Sequence, residues 1–238
     1  MDHATQAFRP GPLSQALVAL SRYTPLGRGG MRKLMAKAVR ALNPQVPLDV
    51  SLYGGQARLH HTGNNSEVKA LLSPNRYARE EYAFCRKHMP SEGGVFLDIG
   101  GNAGVFSLFV ASLMQSGTLI SDSPGLLTIS LPESAGQASA RLAEGVPTLD
   151  VPVIPMIDLL HRCGVDKLDL LKIDVEGFED GVLFPFFAAA TSDLLPKAIV
   201  MEACHSGRWE RDCEAMLLEH GYKIVHKDRT NMMLILEP

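Results

Sequence analysis

The chain has 238 residues, 46% of them hydrophobic and 21% charged, with a formal net charge of -3. That length supports a sizeable core in one large domain, and the composition is that of a globular protein rather than a disordered or disulfide-stapled one. The near-neutral balance gives no electrostatic reason to expect nucleic acid or an anionic membrane as partner.

Residues 13–42 read as helical, interrupted around Pro25-Leu26-Gly27 and Gly29-Gly30. Within residues 1–47, Arg9, Arg22, Arg28, Arg32, Lys33, Lys37 and Arg40 stand against Asp2 alone, either as a solvated basic face or as a contact surface. Asn43-Pro44-Gln45-Val46-Pro47 reads as a linker, because a residue before proline is pushed out of the helical region. The expected organisation is therefore a helical basic N-terminal extension over 1–47 and an α/β domain over 48–238. Leu48–His60 alternates as short strands do, broken by Gly54-Gly55. Ser73-Pro74 has the chemistry of a helix start, and Ala78, Tyr82, Cys85 and Met89 share one face of a helix ending at Pro90.

A strand at 95–98, a helix at 103–114 and a short strand at Thr118-Leu119-Ile120 follow. Leu126–Leu131 alternates and is expected to form a hairpin with 149–154. Met156–Cys163 reads as a short helix closed by Gly164, and Leu168–Ile173 as a buried parallel strand. A helix at 178–190 contains Pro185, Ala198–Met201 is another buried strand, and Trp209–His220 is a helix closed by Gly221. Tyr222–Val225 and Met232–Leu236 are expected to pair antiparallel. Strands and helices alternate through the middle, which argues for an α/β sheet with right-handed crossovers.

Three groups of residues carry chemistry. The first is Val95-Phe96-Leu97-Asp98-Ile99-Gly100-Gly101-Asn102-Ala103-Gly104, an apolar strand tipped by an acid and followed by a glycine-rich turn into a helix. That is the part of a Rossmann-like fold that touches a nucleotide-containing ligand. No Gly-Lys-Ser/Thr closes the turn, so a Walker phosphate loop is excluded. An acid at the strand tip repels phosphate and suits an ammonium group, which favours S-adenosylmethionine (AdoMet) over NAD. The second group is Asp169-Leu170-Leu171-Lys172-Ile173-Asp174-Val175-Glu176-Gly177, in which Lys172, Asp174 and Glu176 alternate along one side at the carboxyl end of a strand. The plain alternative is a Lys172–Asp174 ion pair with Glu176 capping the next helix. The third is Met201-Glu202-Ala203-Cys204-His205, where Glu202 and His205 are candidates for a general base and its orienter, or for purely structural groups.

These segments resemble the FkbM-type AdoMet-dependent methyltransferases, from about Leu59 to Leu236. The carriers are Phe96–Gly104, the string Leu170-Leu171-Lys172-Ile173-Asp174-Val175-Glu176-Gly177-Phe178-Glu179, Ile199-Val200-Met201-Glu202, and the terminal strand pair opened by Gly221-Tyr222. The resemblance implies a Rossmann-like class I methyltransferase sheet, mostly parallel with one C-terminal antiparallel strand. It implies methylation of hydroxyls on sugars, polyketides or other small metabolites. It also implies that Asp98, Gly100, Asn102 and Gly104 line the methionine and ribose end of AdoMet and that Asp174 stands near the methyl donor. Lys172, Glu176, Glu202 and His205 would then face the acceptor.

The chain departs from that pattern after the glycine-rich helix. The family places there a strand ending in a ribose-binding acid, then a helix and a third strand. Here the helix meets Gln115-Ser116-Gly117 and then Leu119-Ile120-Ser121-Asp122-Ser123-Pro124-Gly125, which resembles the end of the third strand. Roughly 40 residues, more than one strand–helix–strand unit, are missing. The sheet is accordingly expected to lack the second-strand region and part of one edge, an invitation for another chain to pair there. In a second alignment the strand at 118–122 returns beside strand 95–98, putting Asp122 where the ribose acid stands, 18 residues past Gly104 against a usual spacing of about 20. Asp122 is a cofactor-side candidate in either alignment.

The leading expectation is an AdoMet-dependent O-methyltransferase acting on a small hydroxylated acceptor. The alternative is a degenerate, non-catalytic methyltransferase-like protein with impaired cofactor binding. A nicotinamide dehydrogenase needs a clear second strand and a second nucleotide-binding half, and neither is evident. Asp174, Glu176, Glu202 and His205 are ligand types that suit a divalent ion, but nothing in their spacing requires one, and no essential metal is expected. Cys85, Cys163, Cys204 and Cys213 show no CxxC pattern and read as reduced thiols. With no signal-peptide core and no apolar run near the ~18 residues of a membrane helix, the expected compartment is the cytoplasm. Neither membrane nor nucleic acid is expected as a partner, and an exposed sheet edge favours a homodimer.

Overall fold

The structure, a computed structural model, describes residues 8–44, 47–121, 127–130, 148–151 and 153–237. It divides into two compact units, one running to Glu80 together with Ala103–Ser112, the other comprising Glu81–Asn102 and Leu113 onward.

The first unit opens with α1 (Pro12–Tyr23) and α2 (Gly29–Leu42), separated by a short turn at Pro25–Gly27. Thr24 makes that break by accepting the Leu26 amide on its hydroxyl oxygen at 3.2 Å. A hairpin of β1 (Leu48–Leu52) and β2 (Gly55–Leu59) follows. Its two turn residues, Tyr53 and Gly54, both have positive φ (50° and 81°), as a tight hairpin with right-twisted strands requires. α3 (Asn65–Leu72) is capped by Asn64, whose side-chain oxygen accepts from Ser66 and Glu67. Val39, Leu48, Leu59 and Leu71 form the centre of this unit's core, and α5 (Val105–Ala111) joins it through Val105 and an edge contact of Phe109 on Tyr53. Two basic residues of the N-terminal stretch are structural: Arg22 donates to the Leu71 and Ser51 carbonyls, and Arg40 to that of His61.

Ser73 does not cap a helix. Its hydroxyl donates to the Gly27 carbonyl at 2.7 Å, and the long helix expected from Ser73 to Met89 is instead a short turn (Pro74–Arg76) and α4 (Arg79–His88). The break falls at Ala78, which has φ +46°, a region that costs an L-residue about 1–2 kcal/mol.

The second unit is built on a six-stranded sheet. Its strands are β3 (Gly94–Ile99), β4 (Gly117–Ser121), β7 (Leu170–Ile173), β8 (Ala198–Glu202), β9 (Tyr222–Lys227) and β10 (Asn231–Leu236), in the order β4-β3-β7-β8-β10-β9. The first four are parallel, and β10 is antiparallel to both its neighbours. β5 (Leu127–Ser130) and β6 (Thr148–Val151) form a separate antiparallel pair. α6 (Met156–Arg162), α7 (Glu179–Ala189, with Pro185 inside) and α8 (Cys213–Glu219) complete the unit. Alternate strand residues (Val95, Leu97 and Ile99; Leu171 and Ile173; Ile199 and Met201; Met232 and Leu234) enter one core with Leu160, Leu183 and Phe186. The intervening positions, Asp98 and Lys172 among them, therefore lie on the opposite face.

The position beside the first strand is filled. β4 runs parallel to β3 with Val95 opposite Thr118 and Asp98 opposite Ser121. The second-strand region is thus present, in line with the second alignment, and the sheet ends on β4 among the described residues.

Candidate functional site

β3 is buried along its whole length, and it delivers Asp98 to the end of the sheet with no exposed surface. A buried carboxylate is costly unless paired. Its register partner on β7 is Lys172, whose ammonium lies 3.8 Å from Asp98 Oδ1 and 3.1 Å from Asp174 Oδ2. The turn after β3 is set by Gly100 (φ +73°) and Asn102 (φ +51°). Gly100 backs directly on the Asp174 main-chain carbonyl, leaving no room for a Cβ, and the Asp174 amide donates to the Ile99 carbonyl at 3.0 Å. The glycine is required by a close approach of two backbones as well as by its φ. At Gly101, a Cβ would stand 2.9 Å from Asp98 Oδ2, so the turn also folds over the acid.

The segment after β7 is held open by one side chain. Glu179, fully buried at the start of α7, accepts the amides of Val175 (3.0 Å) and Gly177 (3.2 Å) on one oxygen and the Trp209 indole (2.7 Å) on the other. Arg208 donates to the Glu176 carbonyl at 3.3 Å. This scaffold keeps Glu176 at φ +53°, unusual for a non-glycine residue, and turns its carboxylate toward His205 at 3.5 Å. The plain alternative is half right: the Lys172–Asp174 pair exists, but Glu179, not Glu176, binds the free amides ahead of α7.

Beyond β8 the chain turns sharply, with the Ala203 and Cys204 amides both donating to the Thr230 carbonyl. The turn brings three donors together. Cys204 Sγ lies 3.3 Å from Glu202 Oε1 and 3.4 Å from His205 Nδ1, and His205 Nδ1 lies 3.3 Å from Glu202 Oε2. Carboxylate oxygens of Asp174, Glu176 and Glu202 also fall within 4.8 Å of one another. Burial, with the charge of Asp174 next, pushes Glu202 up to about 7. Burial and Asp174 likewise raise Glu176. Burial, and the bond and charge of Glu202, push the Cys204 thiol up to about 12.

The structure thus places Asp98, Lys172 and Asp174 in one ion-paired group and Glu176, Glu202 and His205 in a second, linked through Asp174. Gly100 and Asn102 form the turn beside the first group. Gly104 (φ +68°) opens α5, with open space around it. Asp122 lies outside the described residues. Sequence reasoning missed Cys204, Glu179, Trp209 and Arg208. An acid at the first helical position after a Glu-Gly turn signals Glu179, whereas nothing local signals the others.

No curated protein matches the chain. Among solved structures, the crystal structure of precorrin-6y C5,15-methyltransferase from Geobacter metallireducens GS-15 is similar at 14% identity, covering 65% of this chain and 86% of that one, with a TM-score of 0.37. A family model described as the methyltransferase FkbM domain matches residues 98–224, more than half of the chain. That span holds the acid-tipped turn, the Lys172–Glu179 string and the Glu202–His205 turn, and by it the chain belongs to the FkbM methyltransferase family.

Proposed function

We propose that this protein is an AdoMet-dependent O-methyltransferase acting on a hydroxyl of a small molecule such as a sugar or a polyketide-type metabolite. The observation that carries the reading is the charge pattern at the carboxyl ends of β3, β7 and β8. Asp174, Glu176 and Glu202 gather there, and the Lys172 ammonium is taken up by Asp98 and Asp174. That field suits a cationic, phosphate-free ligand and opposes a dinucleotide. Bound AdoMet supplies a methyl group on a positively charged sulfur. Asp98, Gly100, Asn102 and Gly104 are the residues that hold it, with Asp174 facing the reacting end. Lys172 fixes the orientation of both Asp98 and Asp174. Glu202 and His205, 3.3 Å apart, are placed to receive the acceptor hydroxyl's proton. Positioning of that hydroxyl supplies most of the acceleration.

A second reading, a degenerate methyltransferase-like protein with impaired cofactor binding, draws on the sheet ending at β4 among the described residues. Calorimetry with AdoMet, followed by transfer of labelled methyl to a panel of hydroxylated small molecules, separates the two. Binding with label in an O-methyl product supports the enzyme. Absence of heat and of thermal shift at millimolar AdoMet overturns it. The same reading puts the protein in the cytoplasm, where its four unpaired cysteines stay reduced, and lets two copies pair along the β4 edge.

A further inference from the structure

Cys204 has no part in methyl transfer as read above, yet it sits among the strongest ligand types in the chain. Its sulfur lies 3.3 Å from Glu202 Oε1 and 3.4 Å from His205 Nδ1, that nitrogen lies 3.3 Å from the other Glu202 oxygen, Oε2, and one donor atom from each of the three falls within 4.8 Å of the others. Glu176 Oε2 stands 3.5 Å from the same imidazole nitrogen. The edges of a tetrahedral zinc site, with metal–nitrogen and metal–oxygen bonds of about 2.0–2.2 Å and a metal–sulfur bond of about 2.3 Å, come to about 3.3–3.6 Å. The contacts of the imidazole nitrogen and the sulfur–Glu202 contact are at that spacing before any ion is considered, and an ion would draw Glu176 in from the neighbouring segment, where it already lies with Glu202 in one group of acids.

We propose that Glu202, Cys204, His205 and Glu176 bind a zinc-class divalent transition ion. One sulfur, one nitrogen and two carboxylate oxygens are a mixed, borderline-soft set, which suits zinc or cobalt and not the all-oxygen shells of magnesium or calcium. Cys204 is exposed and His205 partly so, which leaves an approach from solvent. As the metal–sulfur bond forms, the thiol proton leaves to the buffer. The ion then clasps the turn after β8 to the segment after β7 and offsets the crowding of carboxylates there. The inference is argued from the donors alone, and it competes with the methyl-transfer reading for two of them, since Glu202 and His205 Nδ1 cannot hold an ion and take the acceptor's proton at once. Sequence spacing concealed it because Glu-x-Cys-His matches no ligand pattern, and Glu176 arrives from a different strand.

The test uses the full chain, treated with chelator under a thiol-free reductant, then titrated by calorimetry and absorbance with Zn²⁺ or Co²⁺ alone and no AdoMet. One ion per chain is expected, with proton release, and the cobalt form is expected to show a near-ultraviolet sulfur-to-metal charge-transfer band. Cys204→Ser should abolish that band and weaken binding on the order of 10-fold or more, at least as much as loss of an outer-shell partner costs. His205→Ala should weaken binding to a similar extent. Cys163→Ser, at the other exposed cysteine, should change neither property. Absence of saturable binding, survival of the band in Cys204→Ser, or equal affinity for Mg²⁺ and Zn²⁺ overturns the proposal. Because AdoMet is not in the assay, a failed methyltransferase and a failed metal site give different results.

Discussion

Asp98 and Lys172 are register partners on adjacent parallel strands, and the Lys172 ammonium lies 3.8 Å from the Asp98 carboxylate, which has no exposed surface. Removing one member of such a pair strands the other's charge in a low dielectric. Lys172→Met is expected to lower unfolding free energy by about 3–5 kcal/mol. The double variant Asp98→Asn/Lys172→Met should recover part of that loss, since the fully buried charge is gone and Asp174, the ammonium's other partner, is partly exposed. Urea unfolding of the four species in the cycle measures it. Asp98→Asn alone should weaken AdoMet about tenfold or more, the equivalent of one charge-assisted hydrogen bond, as read by calorimetry.

The two glycines flanking Asn102 should respond differently to alanine. Both have positive φ, but Gly100 faces the Asp174 carbonyl and Gly104 faces open space. Gly104→Ala should cost only the left-handed penalty, about 1–2 kcal/mol. Gly100→Ala should cost more and shift the segment after β7, so it should also lower AdoMet affinity. Chemical denaturation and calorimetry on the two variants provide the comparison.

Much of this was legible in the sequence because the strands are short apolar runs with polar punctuation, and the acid-tipped turn announces itself through its glycines. The antiparallel pairing of the two C-terminal strands followed from pattern, and the parallel partner of β3 from handedness in the second of two alignments. The errors have local causes. Ala78 takes a left-handed conformation that no alanine advertises, which broke one expected helix. Residues 206–208 form a tight turn and Asp212 caps α8, so the expected helix over 209–220 shrinks to Cys213–Glu219. The meeting of Glu176 with His205 depends on a backbone held by Glu179 and Arg208, and such a contact between strands leaves no periodic trace.

Glu179 offers a direct probe of that scaffold. It accepts two amides and the indole of Trp209, the chain's one tryptophan. Glu179→Ala leaves those donors without their acceptor, at about 1–3 kcal/mol for each one that stays buried. The fluorescence of Trp209 should shift to longer wavelength, and methyl transfer should fall as Glu176 loses its position. An unchanged emission spectrum would contradict the assigned contact.

Acid stability should depend on Asp169 at the opposite end of β7. Burial works against its charged form, but the Lys197 ammonium at 2.7 Å and the Val95 amide at 3.0 Å outweigh it and hold the carboxyl below its ordinary range. A carboxyl depressed in the folded state contributes stability above its unfolded value, near 3.9, and loses that contribution as pH falls through the folded one. Thermal unfolding from pH 7 down to pH 2 should therefore show an acid-side decline that is shallower in Asp169→Asn. A decline of equal slope in both proteins would show that other carboxyls govern it.

The insertion of β10 between β8 and β9 has a consequence for biosynthesis. While the chain is still emerging from the ribosome, β8 has no neighbour on its outer side, because β9 pairs with β10 and not with β8. That row of backbone groups stays unsatisfied until Asn231–Leu236 has left the exit tunnel. The sheet is thus completed only once its last strand is available, and a nascent chain stalled before that point presents an open strand edge.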